Sequence, residues 1–177
     1  MLDNFPKDEI YISRPYGLFS MSEDHAYMNI IYDLKYRGIR GIGRHFGQML
    51  GERIQKTGIP VYDAIVPVPI HHARKRERGY NQSDMIAEGL AAVMDIPVDG
   101  KLIFRTSNTT SQTTLSKAER LDNIKGKIAV NPRKNVAGKC FLICDDVMTT
   151  GSTLNNCAHA LIAAGAANVD AAVLAMA

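Results

Sequence analysis

Cysteine is scarce in this chain: its 177 residues include three, and no two of them form a CxxC pair. Cys140 and Cys144 flank an expected strand and Cys157 falls in an expected helix. That placement points to buried thiols of a reducing compartment rather than to a metal or disulfide role. No apolar run approaches the roughly 20 residues that a membrane-spanning helix needs. The opening MLDNFPKDEI is polar and acidic and lacks the apolar stretch of a secretion signal. These absences describe a soluble cytoplasmic protein with no membrane partner, in which the sequons NQS (81–83) and NTT (108–110) carry no meaning. Aromatic residues make up 7%, few for a surface that stacks single-stranded nucleic acid. Formal charge is only +3, so no global field draws the chain onto nucleic acid or membrane.

What is present is the composition of a folded domain, 46% hydrophobic and 22% charged, in a length that suits one domain with a real core. Residues 1–20 read as irregular, broken by Pro6, Pro15 and Gly17. Ser22 caps an expected helix over 23–37 with Tyr27, Ile30, Ile31 and Leu34 as its stripe, and a second helix is expected over 40–56. From Val61 strands and helices alternate. AIV (64–66), KLIFR (101–105), KIAV (127–130), KCFLIC (139–144) and NVDAAVLAM (168–176) read as strands. Helices are expected over 82–94, 117–123 (opened by the capping box Ser116 to Glu119) and 151–164, the last ending at Gly165. The expectation is an α/β fold with a mostly parallel central sheet flanked by helices. It forms a single domain over 1–177, with a helical N-terminal part over about 1–60 and an α/β core over 61–177.

The stretch FLICDDVMTTGSTL (141–154) carries the chemistry. An apolar strand is expected to end at Cys144, and a loop carrying Asp145 and Asp146 leads into a helix start at Thr149, Thr150, Gly151, Ser152 and Thr153. In parallel sheets ligands bind beyond the carboxyl ends of the strands. Backbone N–H groups and the dipole of the helix start favour an anion there, and Gly151 permits close approach. The loop holds no lysine and G-x-x-x-x-G-K-[ST] is absent, which disfavours a triphosphate site. Two acids beside the cradle repel further phosphates and suit donors such as ribose hydroxyls, with Mg²⁺ nearby. The local reading is a ribose 5-phosphate site. GIRGIG (38–43) lacks the spacing and the preceding strand of a dinucleotide site. His71 and His72 are adjacent and cannot share a helix face as paired metal ligands do, so they read as loop residues or a weak phosphate contact.

Four motifs in order, LKYRG (34–38), VPVPIHHARKRERGYNQS (66–83), TSQTTLSKAERLDNIKG (110–126) and ICDDVMTTGST (143–153), resemble the ComF/GntX family of type I phosphoribosyltransferase-like proteins, akin to amidophosphoribosyltransferases. The resemblance spans about residues 28–177. It implies that Asp145 and Asp146 hold the ribose hydroxyls of phosphoribosyl diphosphate (PRPP) and that Thr149 to Thr153 hold its 5-phosphate. The basic loop after the first core strand would receive the diphosphate. Arg74, Lys75, Arg76 and Arg78 supply the charge, with Arg76 and Arg78 as the chosen pair and Tyr80, Asn81 and Gln82 orienting the loop. Residues 105–123 would form a mobile lid, with Thr109, Gln112, Arg120 and Asn123 on the family pattern.

Mg²⁺ is the implied cofactor, carried by the substrate and touching Asp145 or Asp146. The family's four-cysteine zinc ribbon has no counterpart in this sequence, since no cysteine precedes Cys140: either this homologue lacks the ribbon or the chain is a fragment, and no structural zinc is expected. The implied activity is transfer of the phosphoribosyl group to a nucleophile, with diphosphate leaving. No residue reads as a general base, and the acceptor is not legible. Because no acceptor motif stands out, a non-catalytic PRPP- or nucleotide-sensing module is the alternative. The family's link to DNA uptake adds a third reading, weak nucleic-acid contact through the basic segment. A homodimer is compatible with the sequence, which does not itself reveal the oligomeric state.

Overall fold

The apolar runs around positions 141–144 and 169–175 become adjacent parallel strands, and the rest of the fold is arranged about them. The computed structural model describes residues 6, 9–21, 29, 31–34, 39–58, 61–70, 72–106 and 128–177. The elements are β1 (Pro15–Ser20), α1 (Arg40–Gln55), β2 (Ala64–Pro67), α2 (His72–Arg78), α3 (Gln82–Met94), β3 (Ile103–Arg105), β4 (Ile128–Val130), β5 (Cys140–Met148), α4 (Ser152–Ala163) and β6 (Asn168–Met176). Residues 31–34 are also helical, within the helix expected over 23–37; the rest of that helix, apart from helical Asn29, lies outside the described residues, as does the helix expected over 117–123.

The main sheet has the order β1-β6-β5-β2 and every pairing in it is parallel. Alternate side chains of β5 go to opposite faces, as strand geometry requires. Phe141 and Ile143 join Leu154, Cys157 and Leu161 of α4, whereas Leu142 and Cys144 join Leu50, Ile54, Ile86 and Leu90 of α1 and α3. Helices therefore cover both faces, and the central strands are apolar nearly throughout, which is the signature of a buried parallel sheet.

Four expectations are corrected. Residues 15–20 are not irregular: PYGLFS pairs with β6 as an edge strand, although it carries no period-two pattern. β5 does not stop at Cys144. The nine-residue β6 offers it partners as far as Met148↔Met176, so Asp145 and Asp146 lie within the strand rather than in a loop after it. KLIFR and KIAV supply strands, but these pair antiparallel as a separate two-stranded ribbon. The basic segment is not a loop: HARKRER forms the short helix α2, consistent with its content of Ala, Arg, Lys and Glu, all strong helix formers.

α1 and α3 cross with their backbones almost touching. Gly43, Gly47 and Gly51 recur every fourth residue on α1 and face α3. A Cβ on Gly47 would stand 2.4 Å from the Ile86 carbonyl oxygen, and one on Gly89 would stand 2.2 Å from that of Arg44.

At the amino end of β6, Asp170 is fully buried. It accepts from the Tyr62 hydroxyl at 2.5 Å and from Asn168 Nδ2 at 3.0 Å, and Ser13 Oγ donates to Asn168 in turn at 2.5 Å. Burial first, and then the bond to Asp170, push the Tyr62 phenol well above its ordinary value.

Candidate functional site

β5 ends at Met148, and the chain turns over Thr149, Thr150 and Gly151 into α4. Gly151 is the N-cap with φ +76°, a left-handed conformation that a side chain adopts only at a cost. Having no side chain, it cannot cap the first-turn N–H groups, and α4 has no acid in its first turn. The Thr150 and Ser152 hydroxyls lie 2.9 Å apart, and the Ser152 N–H points at Thr150 Oγ1 at 3.4 Å. An open concavity is lined by Val147, Met148, Thr149, Thr150, Gly151, Ser152, Thr153 and Leu154. All five positions expected to hold a phosphate therefore share one pocket wall. Helix starts of this kind attract anions through unpaired N–H groups and the helix dipole.

The start of α3 makes the opposite choice. Its N-cap Asn81 accepts from the Ser83 N–H at 3.4 Å, and Asp84 stands in its first turn. Asn81 Nδ2 also donates to the Val68 carbonyl and to Asp84 Oδ1, both at 3.0 Å. Burial raises the Asp84 carboxyl above its ordinary range, against the lowering influence of Asn81 and Lys75. With its own cap and its own acid, α3 has less to offer an exogenous anion than α4.

Asp145 and Asp146 are both half-buried, immediately upstream of the pocket. Asp145 Oδ1 accepts from Ser83 Oγ and from the Asp146 N–H, each at 2.9 Å. Of the two arginines expected to receive the diphosphate, Arg76 is exposed on α2, while Arg78 is half-buried and donates from Nη1 to Gln82 Oε1 at 3.1 Å. Tyr80 donates from its hydroxyl to the Leu34 carbonyl, joining the LKYRG and GYNQS motifs in space. Arg105, the last residue of β3, donates from Nε to the Pro69 carbonyl at 2.7 Å and so ties the ribbon to the chain leaving β2. His72 opens α2. Thr109, Gln112, Arg120 and Asn123 lie outside the described residues, as does His71.

Sequence reasoning missed Ser83, and it placed Arg105 only as the first residue of the expected lid segment rather than as a tie to the chain leaving β2. The signal for Ser83 was the polar run from Asn81 to Asp84 at the mouth of a helix whose later turns are mostly apolar, and the fold buries Asn81, Gln82 and Ser83. Nothing local marked Arg105 as that tie.

Cys144 and Cys157 are buried and Cys140 is half-buried. Burial, with Asp145 and Asp84 nearby, raises the Cys144 thiol well above its ordinary range. Burial likewise pushes Cys157 up to about 12, with Asp145 adding to the shift and Arg105 opposing it. An aromatic disulfide reagent at neutral pH is accordingly expected to titrate one thiol of the native chain quickly and all three only in denaturant. Rapid reaction of all three in the native state would contradict this packing.

A phosphoribosyl transferase domain model matches residues 81–177, more than half of the chain, and the chain belongs to that family. Among named proteins it is similar to Competence protein F of Haemophilus influenzae, 39% identical over 94 residues that make up 52% of this chain and 41% of that one. It is also similar to DNA utilization protein YhgH of Salmonella typhi, 34% identical over 145 residues, 80% of this chain and 63% of that one. It thus spans between about two fifths and two thirds of the length of these relatives. Its fold resembles that of a glutamine phosphoribosylpyrophosphate amidotransferase from B. subtilis complexed with ADP and GMP. The TM-score is 0.52 at 23% identity, over 74% of this chain and 25% of that one. The expected fold class, a parallel α/β sheet with helices on both faces, is borne out. Among the described residues no helix is long and apolar enough to cross a membrane.

Proposed function

We propose that the chain is a single phosphoribosyltransferase domain that binds PRPP and transfers its phosphoribosyl group to a nucleophile with release of diphosphate. The observation that carries this reading is the start of α4, whose N-cap Gly151 has no side chain to cap it, opening on a pocket lined by Thr149–Thr153, with two carboxylates just upstream on β5. The 5-phosphate sits against the α4 N-terminus and provides remote binding energy that positions C1 of the ribose. Asp145 and Asp146 accept hydrogen bonds from the ribose hydroxyls. Arg76 and Arg78 receive the diphosphate and stabilise the charge that develops as it leaves.

Mg²⁺ fits this donor set in its usual manner: one or two carboxylates, here Asp145 or Asp146, with the remaining ligands from substrate oxygens and water. Bound there, it would supply positive charge against the diphosphate. Among the described residues no cluster of three or more potential metal-ligating side chains offers an all-protein cage.

Isothermal titration with PRPP and Mg²⁺ tests the binding, and diphosphate release with a panel of bases, ammonia and glutamine tests the transfer. Saturable binding with turnover on any acceptor supports the enzyme. Binding without turnover favours the sensing module, and no binding removes both. The names of the two relatives, a competence protein and a DNA utilization protein, motivate a role in handling DNA as the setting. Salt-dependent binding of a labelled oligonucleotide would support direct nucleic-acid contact by the basic helix α2, and no binding at low salt would eliminate it.

A further inference from the structure

Two consecutive side chains at the start of α3 reach the two oppositely charged groups on which the proposed site depends. Ser83 Oγ donates to Asp145 Oδ1 at 2.9 Å, and Gln82 Oε1 accepts from Arg78 Nη1 at 3.1 Å. Gln82 and Ser83 are each 3% exposed and their charged partners are half-buried, so each bond is anchored on its α3 side by a side chain shielded from bulk water, which strengthens it and helps hold its direction. The turn that carries them is itself fixed. Asn81 ties it to the Val68 carbonyl at the end of β2, and the Cys144 thiol donates to the Ser83 carbonyl at 3.5 Å.

Gln82 has a second property. Its Nε2 is buried and has no hydrogen-bond partner, while its oxygen is engaged by Arg78. A buried donor without an acceptor is costly. The positive charge of the neighbouring guanidinium favours an anionic oxygen as the acceptor that would relieve that cost.

We propose that the first turn of α3 is the positioning element of the site: Ser83 orients Asp145 toward the ribose, and Gln82 orients Arg78 toward the diphosphate and adds its own amide donor there. This rests on the reading of the site given above. Because the two residues are adjacent on one helical turn, they also fix the spacing between the acid that faces the sugar and the base that faces the leaving group. A merely structural role, in which these bonds only hold α3 against β5 and α2, makes a different prediction: any loss would fall on both ligands alike.

The test separates the two halves of the substrate. Binding of ribose 5-phosphate and of inorganic diphosphate, each with Mg²⁺, is measured by calorimetry for the wild-type chain, Ser83→Ala, Ser83→Thr and Gln82→Met. Ser83→Ala is expected to weaken ribose 5-phosphate about tenfold and leave diphosphate unchanged, the worth of one hydrogen bond to a charged group. Ser83→Thr, which keeps the hydroxyl, restores most of the loss. Gln82→Met is expected to show the reverse pattern, about tenfold on diphosphate and nothing on ribose 5-phosphate. Should Ser83→Ala fail to fold, Ser83→Cys keeps the volume with only a weak donor and gives the same readout. Equal losses on both ligands, or no loss on either, overturn the proposal while leaving the PRPP site intact. A wild-type chain that binds neither ligand overturns the site itself, and the positioning role with it.

Discussion

Replacing Asp145 and Asp146 together by asparagine is expected to weaken PRPP binding by about 100-fold or more, with the fold retained. Two competing effects decide the sign. Removing two negative charges beside a polyanion relieves repulsion, worth under about 1 kcal/mol per charge pair at 5–6 Å in a water-like dielectric. Against this, each carboxylate that accepts from a ribose hydroxyl or touches Mg²⁺ contributes about 1.5–3 kcal/mol, so losing two outweighs the relief. The fold persists because an amide oxygen can still accept from Ser83 Oγ and from the Asp146 N–H in place of Asp145 Oδ1. If the pair were no more than a solvated acidic turn, the same double variant would bind phosphate-rich ligands more tightly. Calorimetry with PRPP, alongside a thermal unfolding curve for each protein, reads that sign directly.

The second large effect concerns the crossing of α1 and α3. Gly89→Ala would place a Cβ 2.2 Å from the Arg44 carbonyl oxygen and 2.9 Å from both Gln48 N and Gly47 Cα. Those atoms are backbone, so relief requires the two helices to part. Alanine normally gains up to about 1 kcal/mol over glycine in a helix interior. Forced separation of a packed interface costs typically 1–3 kcal/mol and occasionally more, and here it also loosens Leu50, Ile54, Ile86 and Leu90 in the shared core. A net loss of about 3 kcal/mol is expected for Gly89→Ala, and a similar one for Gly47→Ala, whose Cβ would meet Ile86 O at 2.4 Å. For a domain of this size that is a fall of roughly 6–12 °C in Tm. Gly41→Ala is the control. Nothing lies within 4 Å of its added Cβ, and it should be neutral or slightly stabilising. Equal behaviour of all three in urea unfolding would show that the crossing tolerates a methyl group.

How far the sequence reveals these features depends on whether their causes are local. α1 and α3 fall within a residue of their expected bounds, because apolar periodicity, the Asn81 cap and Gly58 are all neighbours in the chain. β6 is found whole for the same reason, nine apolar-rich residues with a glycine turn before them. β1 escaped because PYGLFS has no alternation and two breakers, and only the vacant edge of β6 makes it a strand. The basic helix α2 escaped because six polar residues and a single alanine carry no hydrophobic period at all. At the site, the threonine cradle and the acids are legible as a contiguous motif. The Ser83–Asp145 bond is not, since its partners are 62 positions apart and meet only after α3 packs on β5.

The edge pairing of β1 with β6 sets an order of events in folding. Ser13 and Asn168, which hydrogen-bond at the start of that pairing, stand 155 positions apart. A chain made from its amino end has the whole α/β core between them to synthesise before β1 can meet its partner. Long-range parallel pairing is slow because loop closure precedes any reward for it. β1 is therefore expected to dock last, on a sheet whose other strands are already joined. Until then the PYGLFS segment and the outer edge of β6 are both open, a window in which another copy of the chain can occupy either one.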